Sequence, residues 1–259
     1  MTNKKNYREY VLELYEKNQR PDGRELLQYR EPIKIETGVS KNAEGSAVVT
    51  MGKTKVICGV KLEIGEPYPD SPDEGTLIVT GEFTAMSSPE FEPGRPGEHA
   101  VELARIVDRG IRESGTIDVK KLCVKEGEKV WMVFVDVYIQ NHDGNLIDAS
   151  ALAAIAALMD AKFPKLEDDG KVNYDEHTDS LPITKKPITC TIFKTKDKLI
   201  VDPTFEEEDV SDARLTVITD EEGTINGMQK GGTAGMTKDE IYKCIEISLE
   251  KAKELRKNL

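Results

Sequence analysis

The sequence predicts an α/β protein assembled as α+β layers, and three observations carry that reading. Strand-like and helical runs come in blocks, strands then helices, twice, which suits packed layers of sheet and helix better than a strictly alternating parallel fold. Val130 to Ile139 is almost continuously apolar, the mark of a buried strand, and Ile147 to Phe163 is an Ala-rich helix apolar on most sides. A chain of 259 residues can also bury roughly 70–75% of its unfolded surface, so neither a metal nor a disulfide is required for folding.

Taken in order, residues 5 to 18 place Tyr7, Val11, Leu14 and Tyr15 on one face of an amphipathic helix, which ends at Arg20-Pro21-Asp22-Gly23-Arg24. Strands are expected at 33–36, 46–51 and 54–62, with Met51-Gly52-Lys53-Thr54 as a hairpin turn between the last two. Gly65 to Gly75 is a proline-rich loop, 76–84 a further strand, and Ser88 to Gly97 an irregular segment, because its prolines cannot donate to a sheet ladder. A helix follows with Ala100, Ala104, Val107 and Ile111 as its core stripe. Lys165 to Lys186, acidic and proline-containing, reads as a linker or a long excursion between two halves, and strands are expected near 187–194, 198–202, 213–219 and 224–229. The last helix opens with a capping box, Thr237 and Glu240, and turns Ile241, Cys244, Ile245 and Leu249 inward. The organisation is thus an N-terminal helix (1–19), a first part (20–164), a linker (165–186) and a second part (187–259).

The four cysteines, Cys58, Cys123, Cys190 and Cys244, lie far apart with no metal-ligand spacing, so they read as small core residues of a reducing compartment. The N-terminus carries no apolar run of signal length and nothing approaches the roughly 20 apolar residues of a membrane span, so a cytoplasmic protein is expected. A net charge of −12 excludes non-specific wrapping of nucleic acid, which needs Lys and Arg to neutralise phosphates; contact with RNA must be local.

Four constellations are candidates for chemistry. Arg105, Arg109 and Arg112 form a stripe along one helix face, with Arg95 in the loop before it. Such a row suits a phosphodiester backbone, whereas Asp108 and Glu113 at i,i+4 spacing suit ordinary ion pairing on a solvated face or a protein interface. Gln140 to Asn145 is a Gly-containing strand-to-helix turn of the kind that aims amides and a helix N-terminus at an anion. Here Leu146 and Ile147 stand where a hydroxyl and a guanidinium are wanted, and Asp148 adds negative charge; His142 suits a hydrogen-bonded structural role better than a general base. Asp202, Glu206, Glu207, Glu208, Asp209 and Asp212 could hold Mg²⁺ or act as general acids, against the plainer reading of a solvated turn partly neutralised by Arg214. Gly227 to Gly235 lacks the Gly-Lys-Ser/Thr of a phosphate loop and reads as a flexible turn before the last helix.

Arg20 to Arg24, Gly94 to Arg109, Gln140 to Gly144, Val201 to Asp209 and Gly227 to Gly235, five pieces in the right order, resemble the RNase PH family over nearly the whole chain from about residue 20, and within it the non-catalytic RNase PH-like subunit of the archaeal exosome. The resemblance implies the RNase PH fold, a ribosomal protein S5 domain 2-like β-rich half followed by a C-terminal α/β half. Active members of the family cleave RNA from its 3′ end with inorganic phosphate as nucleophile, using a Gly-Ser/Thr-Arg turn after an Asp-Gly pair. This chain keeps Asp143-Gly144 but continues Asn145-Leu146-Ile147, a degenerate phosphate site. Two aspartates expected six residues apart correspond to Glu208 and Arg214, and an arginine pair before the long helix corresponds to Glu98 and His99. The implied role is non-catalytic: pairing with a catalytic RNase PH-like subunit, three heterodimers closing a hexameric ring under a trimeric RNA-binding cap, with Arg95, Arg105, Arg109 and Arg112 along the path of single-stranded RNA, and no catalytic residue, metal or cofactor of its own.

Two further readings stand beside it. An active phosphate-dependent 3′ to 5′ exoribonuclease would use the Glu206 to Asp212 carboxylates in an unusual site. A small-molecule enzyme such as a kinase sharing the S5-like fold is opposed by the want of a convincing nucleotide-phosphate loop.

Overall fold

The computed structural model describes residues 2–92, 94–167 and 170–259. The first layer is a six-stranded sheet of β1 (Ile33–Thr37), β2 (Gly45–Met51), β3 (Thr54–Gly65), β4 (Thr76–Phe83), β5 (Cys123–Lys125) and β6 (Lys129–Asn141), ordered β1-β2-β3-β6-β4 with β5 on β6. The two-residue turn between β2 and β3 has Gly52 at φ +58°, a conformation a hairpin turn needs and glycine supplies without strain. Strands β4 and β6 run parallel, joined by a crossover that carries helix α2 (Glu98–Ser114). All four predicted stripe residues of α2, Ala100, Ala104, Val107 and Ile111, are buried.

Helix α3 (Leu146–Asp160) lies between this sheet and a second one, touching β2 and β3 on one side and β9 (Ile188–Thr195) on the other. Every residue from Leu146 to Leu158 is buried, which is why its sequence shows no polar face. The second sheet adds β10 (Lys198–Val201), β11 (Ala213–Thr219) and β12 (Ile225–Gly232) in the order β10-β9-β11-β12, and helix α5 (Lys238–Arg256) covers its other face behind the predicted capping box. One apolar core therefore runs from Val49 and Val135 through Ala153 to Ile192 and Leu255. The N-terminal helix α1 (Thr2–Glu16) folds onto this second sheet, with Val11 and Tyr15 against Phe193, Ile200 and Val210; Leu12, not the expected Leu14, is its additional buried residue.

Four expectations are corrected. The Ala-rich helix stops at Asp160 rather than Phe163, because the residue before Pro164 disfavours helical backbone, and Lys162–Leu166 is a strand, β7. Segment 165–186 is an excursion rather than a bare linker: it holds β8 (Val172–Ser180), antiparallel to β7, whose mostly exposed residues show no apolar alternation to announce it. Asp202 to Asp212 is no solvated turn: it contains helix α4 (Phe205–Asp209), capped by Thr204 and Glu207, and Asp202 and Glu207 are fully buried. The glycine-rich piece is mostly strand β12, and only Thr233 to Gly235 turn toward α5.

The α3–β2 contact is a close one. A Cβ on Gly45 would stand 2.4 Å from the carbonyl oxygen of Ala157, backbone that cannot yield without moving the helix. Gly45→Ala is expected to cost about 1–3 kcal/mol of stability, as overpacking of a filled core does, measured as a lowered midpoint in urea unfolding; an unchanged midpoint would show the helix free to shift.

Candidate functional site

The site grows from the turn that joins β6 to α3. Gly144 has φ +92°, and a Cβ there would lie 2.4 Å from the carbonyl oxygen of Pro203 and 2.6 Å from the carbonyl carbon of Thr204. The turn is thus seated backbone against backbone on the segment leading into α4, and only glycine fits. Arg30 clamps the two together. Its Nη2 and Nε donate to Oδ1 and Oδ2 of Asp202 at 2.8 and 3.0 Å, its backbone N–H donates to Oδ2 at 2.6 Å, and its guanidinium also donates to the carbonyls of Asp143 and Gly144.

Asn145 follows, only 1% exposed and at φ +54°, a left-handed conformation that asparagine tolerates better than most residues. Its Nδ2 donates to Asp202 Oδ1 and Asp148 Oδ2 at 3.0 and 3.1 Å. Its backbone N–H, one of those a bound phosphate would use, donates instead to Oε2 of Glu208 at 3.0 Å. The turn and the acidic segment, far apart in sequence, therefore meet in one place, with the Glu208 carboxyl against the backbone just before α3. Burial pushes the Glu208 carboxyl up, opposed by the Asn145 amide and by Arg214 and Arg30. Arg214 itself is drawn to Glu102 of α2 at 2.7 Å, while Leu146 and Ile147 are buried, Ile147 against Ile106 and Ile218.

His142 stacks on Phe91 with ring centroids 5.3 Å apart and meets Phe205 edge-on, and its Nδ1 accepts the Gly144 N–H. Burial, and then Arg30 and His99, press its pKa down to about 4, so it is neutral near pH 7 and serves the turn's structure. The acidic run does not gather around a cation: Asp202 pairs with Arg30, Glu207 with Arg20 and Asp212 with Arg8, and no group of three potential metal ligands occurs among the described residues. Arg20 and Arg30 are residues the sequence reading left without a role. The Arg20 to Arg24 motif marked the region, but partners nearly 200 positions away in sequence gave no local signal.

The arginine stripe divides. Arg112 is tied to Asp108 at 2.8 Å and to the Leu77 carbonyl at 3.0 Å, the ion-paired reading. Arg105 and Arg109 are exposed and share a groove with Pro96, Val101 and Gln229; Arg109 makes one long 3.4 Å contact to Gln229. Arg95 is exposed in the adjoining loop, where it lines a neighbouring cleft that also includes Pro96.

Asp148 offers a direct test of the network. Its carboxylate accepts from the N–H and Oγ1 of Thr191 at 3.0 and 2.7 Å, yet burial outweighs these bonds and raises its pKa to about 7. The folded state then holds a proton that the unfolded chain has released, so this group's contribution to stability is complete below the ordinary carboxylate pKa and is lost as pH rises through about 7. Asp148→Asn mimics the protonated form. The stability of the native chain relative to this variant is expected to fall by on the order of a few kcal/mol between pH 5 and pH 8 in paired denaturant titrations; parallel curves would place the proton elsewhere.

Comparison with known proteins gives the chain's family and fold. The models of the 3′ exoribonuclease family match twice, domain 1 over residues 28–164 and domain 2 over residues 186–251. The exosome complex component Rrp42 of Methanosarcina mazei is 49% identical over 251 residues, covering 96% of this chain and 91% of the relative. That of Pyrococcus furiosus is 44% identical over 253 residues, with 96% and 91% covered. Among solved structures, a chain of the Archaeoglobus fulgidus exosome with RNA bound to the active site superposes with a TM-score of 0.93 at 44% identity over 99% of both chains. A chain of an archaeal exosome core superposes with a TM-score of 0.87 at 42% identity, over 98% of this chain and 96% of the other. The fold is the RNase PH fold, and the chain belongs to the 3′ exoribonuclease family of RNase PH.

Proposed function

We propose that this chain is a non-catalytic subunit of an exosome RNA-degradation complex in the cytoplasm, pairing with a catalytic RNase PH-like subunit, three such pairs closing a hexameric ring beneath a trimeric RNA-binding cap. The observation that carries the non-catalytic reading is the Asn145 amide held by the Glu208 carboxylate at 3.0 Å. A phosphate nucleophile approaching the start of α3 meets the Glu208 carboxyl already on the amide it needs, two buried aliphatic side chains where donors are needed, and an arginine committed to Glu102. The likeness to Rrp42 chains at 44–49% identity supports the ring role. The alternative of an active exoribonuclease built on the Glu206 to Asp212 carboxylates is opposed by the arginines that hold Glu207 and Asp212.

The chain's contribution to RNA handling lies in Arg105 and Arg109, whose guanidiniums are exposed on one groove, with Arg95 beside them. Arginines of this kind position a phosphodiester backbone without reading its sequence, so they guide a strand toward a partner's active site rather than select it. Arg112 is engaged by Asp108 and the Leu77 carbonyl, so it contributes less to the RNA path than Arg105 and Arg109.

The test is phosphate-dependent release of nucleoside diphosphates from a 3′ single-stranded RNA. The chain alone is expected to be inactive, and the assembled ring with its catalytic partner active. Arg105→Ala with Arg109→Ala is expected to lower kcat/KM of the ring about tenfold or more, chiefly through KM, with a shallower salt dependence. Robust phosphorolysis by the chain alone would overturn the proposal.

A further inference from the structure

The cleft in front of the Asn145–Glu208 contact has a volume of about 260 Å³ and is lined by Phe83, Phe91, His142 and Phe205 together with Leu146 and Ile147. Its electrostatics disfavour an anion. An anion meets Glu208, and the cleft's arginine, Arg214, is already paired to Glu102. Glu90, Glu102, Glu208 and Asp209 all line it, so its walls favour hydrogen-bond donors.

What the cleft lacks is hydrogen-bond donors for its acceptors. Asn145, 1% exposed and part of the lining, has a buried Oδ1 with no donor among the described residues, because its Nδ2 is fixed by Asp148 and Asp202. A buried acceptor left open in this way carries a cost that an incoming N–H relieves. Glu208, whose Oε2 accepts from the Asn145 amide, is also part of the lining. Aromatic walls, carboxyl groups and an unanswered buried acceptor together call for a planar, donor-bearing ring, and aromatic side chains stack on any nucleobase.

We propose that this cleft is a receptor for an amino-bearing nucleobase, adenine, cytosine or guanine, entering as a nucleoside or as a base unstacked from an RNA strand, with every phosphate left outside. It converts the seat at which a phosphate would be handled into one that reads a base edge. The ring role proposed above does not depend on it, since ring turnover and base binding are measured separately.

Saturation-transfer NMR and calorimetry on the full chain, alone and in the assembled ring, test this with adenosine, cytidine, guanosine, uridine, adenosine 5′-monophosphate and inorganic phosphate as probes. Adenosine, cytidine and guanosine are expected to bind at least fivefold more tightly than uridine, the 5′-phosphate to add nothing, and inorganic phosphate not to compete. Phe205→Leu and Phe91→Leu, which keep apolar volume and remove a ring, are each expected to weaken adenosine several-fold while a circular-dichroism melt confirms the fold. Displacement of bound adenosine by oligoadenylate identifies a strand's base as the occupant, and its failure a free nucleoside. No nucleoside binding at millimolar concentration, equal binding of adenosine and uridine, tighter binding of inorganic phosphate than of adenosine, or folded variants that bind like the parent chain would each overturn the proposal.

Discussion

Arg30 and Asp202 meet in the interior with side chains 6% and 0% exposed, and the position of every other group in the site follows from their geometry. Two charges taken out of water cost several kcal/mol each and are recovered only when the geometry is good and the remaining donors are satisfied. Here the guanidinium meets both carboxylate oxygens, the Arg30 backbone amide adds a third bond, and the leftover donors reach the carbonyls of Asp143 and Gly144. Asp202 is held at φ +48° and Asn145 at φ +54°, conformations that cost non-glycine residues energy and persist because the surrounding bonds over-determine them. The strand-to-helix turn is consequently fixed to the segment that follows β10, and the amide of Asn145, just before α3, is delivered to Glu208.

The same logic explains the acidic run. Its carboxylates are anchors for arginines from the N-terminal segment: Arg8 to Asp212, Arg20 to Glu207 and Arg30 to Asp202. Tyr15 of α1 adds a hydrogen bond to Glu207, and burial drives the Tyr15 hydroxyl's pKa upward, keeping it a donor. Helix α1 therefore closes over chemistry that would otherwise stand open to solvent. The carboxylates and the turn are held to the chain's own groups, while Arg105 and Arg109 are left exposed.

Much of the fold was legible because local rules and tertiary packing agree. The stripe of α2, the capping box of α5, the β2–β3 hairpin and the all-apolar α3 each state their environment in consecutive residues. The β7–β8 pair was not legible, since a strand with both faces in water carries no alternation, and Asp175, Glu176 and Asp179 look like any linker. The strand-to-helix turn could be read from Gln140 to Asn145, but that its Asn145 amide would meet Glu208 could not, because 63 positions separate donor from acceptor. Likewise the arginine stripe was visible as spacing, while the capture of Arg112 by the Leu77 carbonyl depends on a strand 35 positions earlier.

The claim that the Arg30–Asp202 pair welds the turn to the second sheet is tested most directly by a double-mutant cycle with Arg30→Met and Asp202→Asn, read by urea unfolding of the full chain. Each single change is expected to cost about 3–5 kcal/mol, as breaking a buried pair does. The two together are expected to cost less than their sum by about 2–3 kcal/mol, the coupling of groups in one network. Additive costs, with no coupling between the two positions, would mean that the turn is held by something other than this pair.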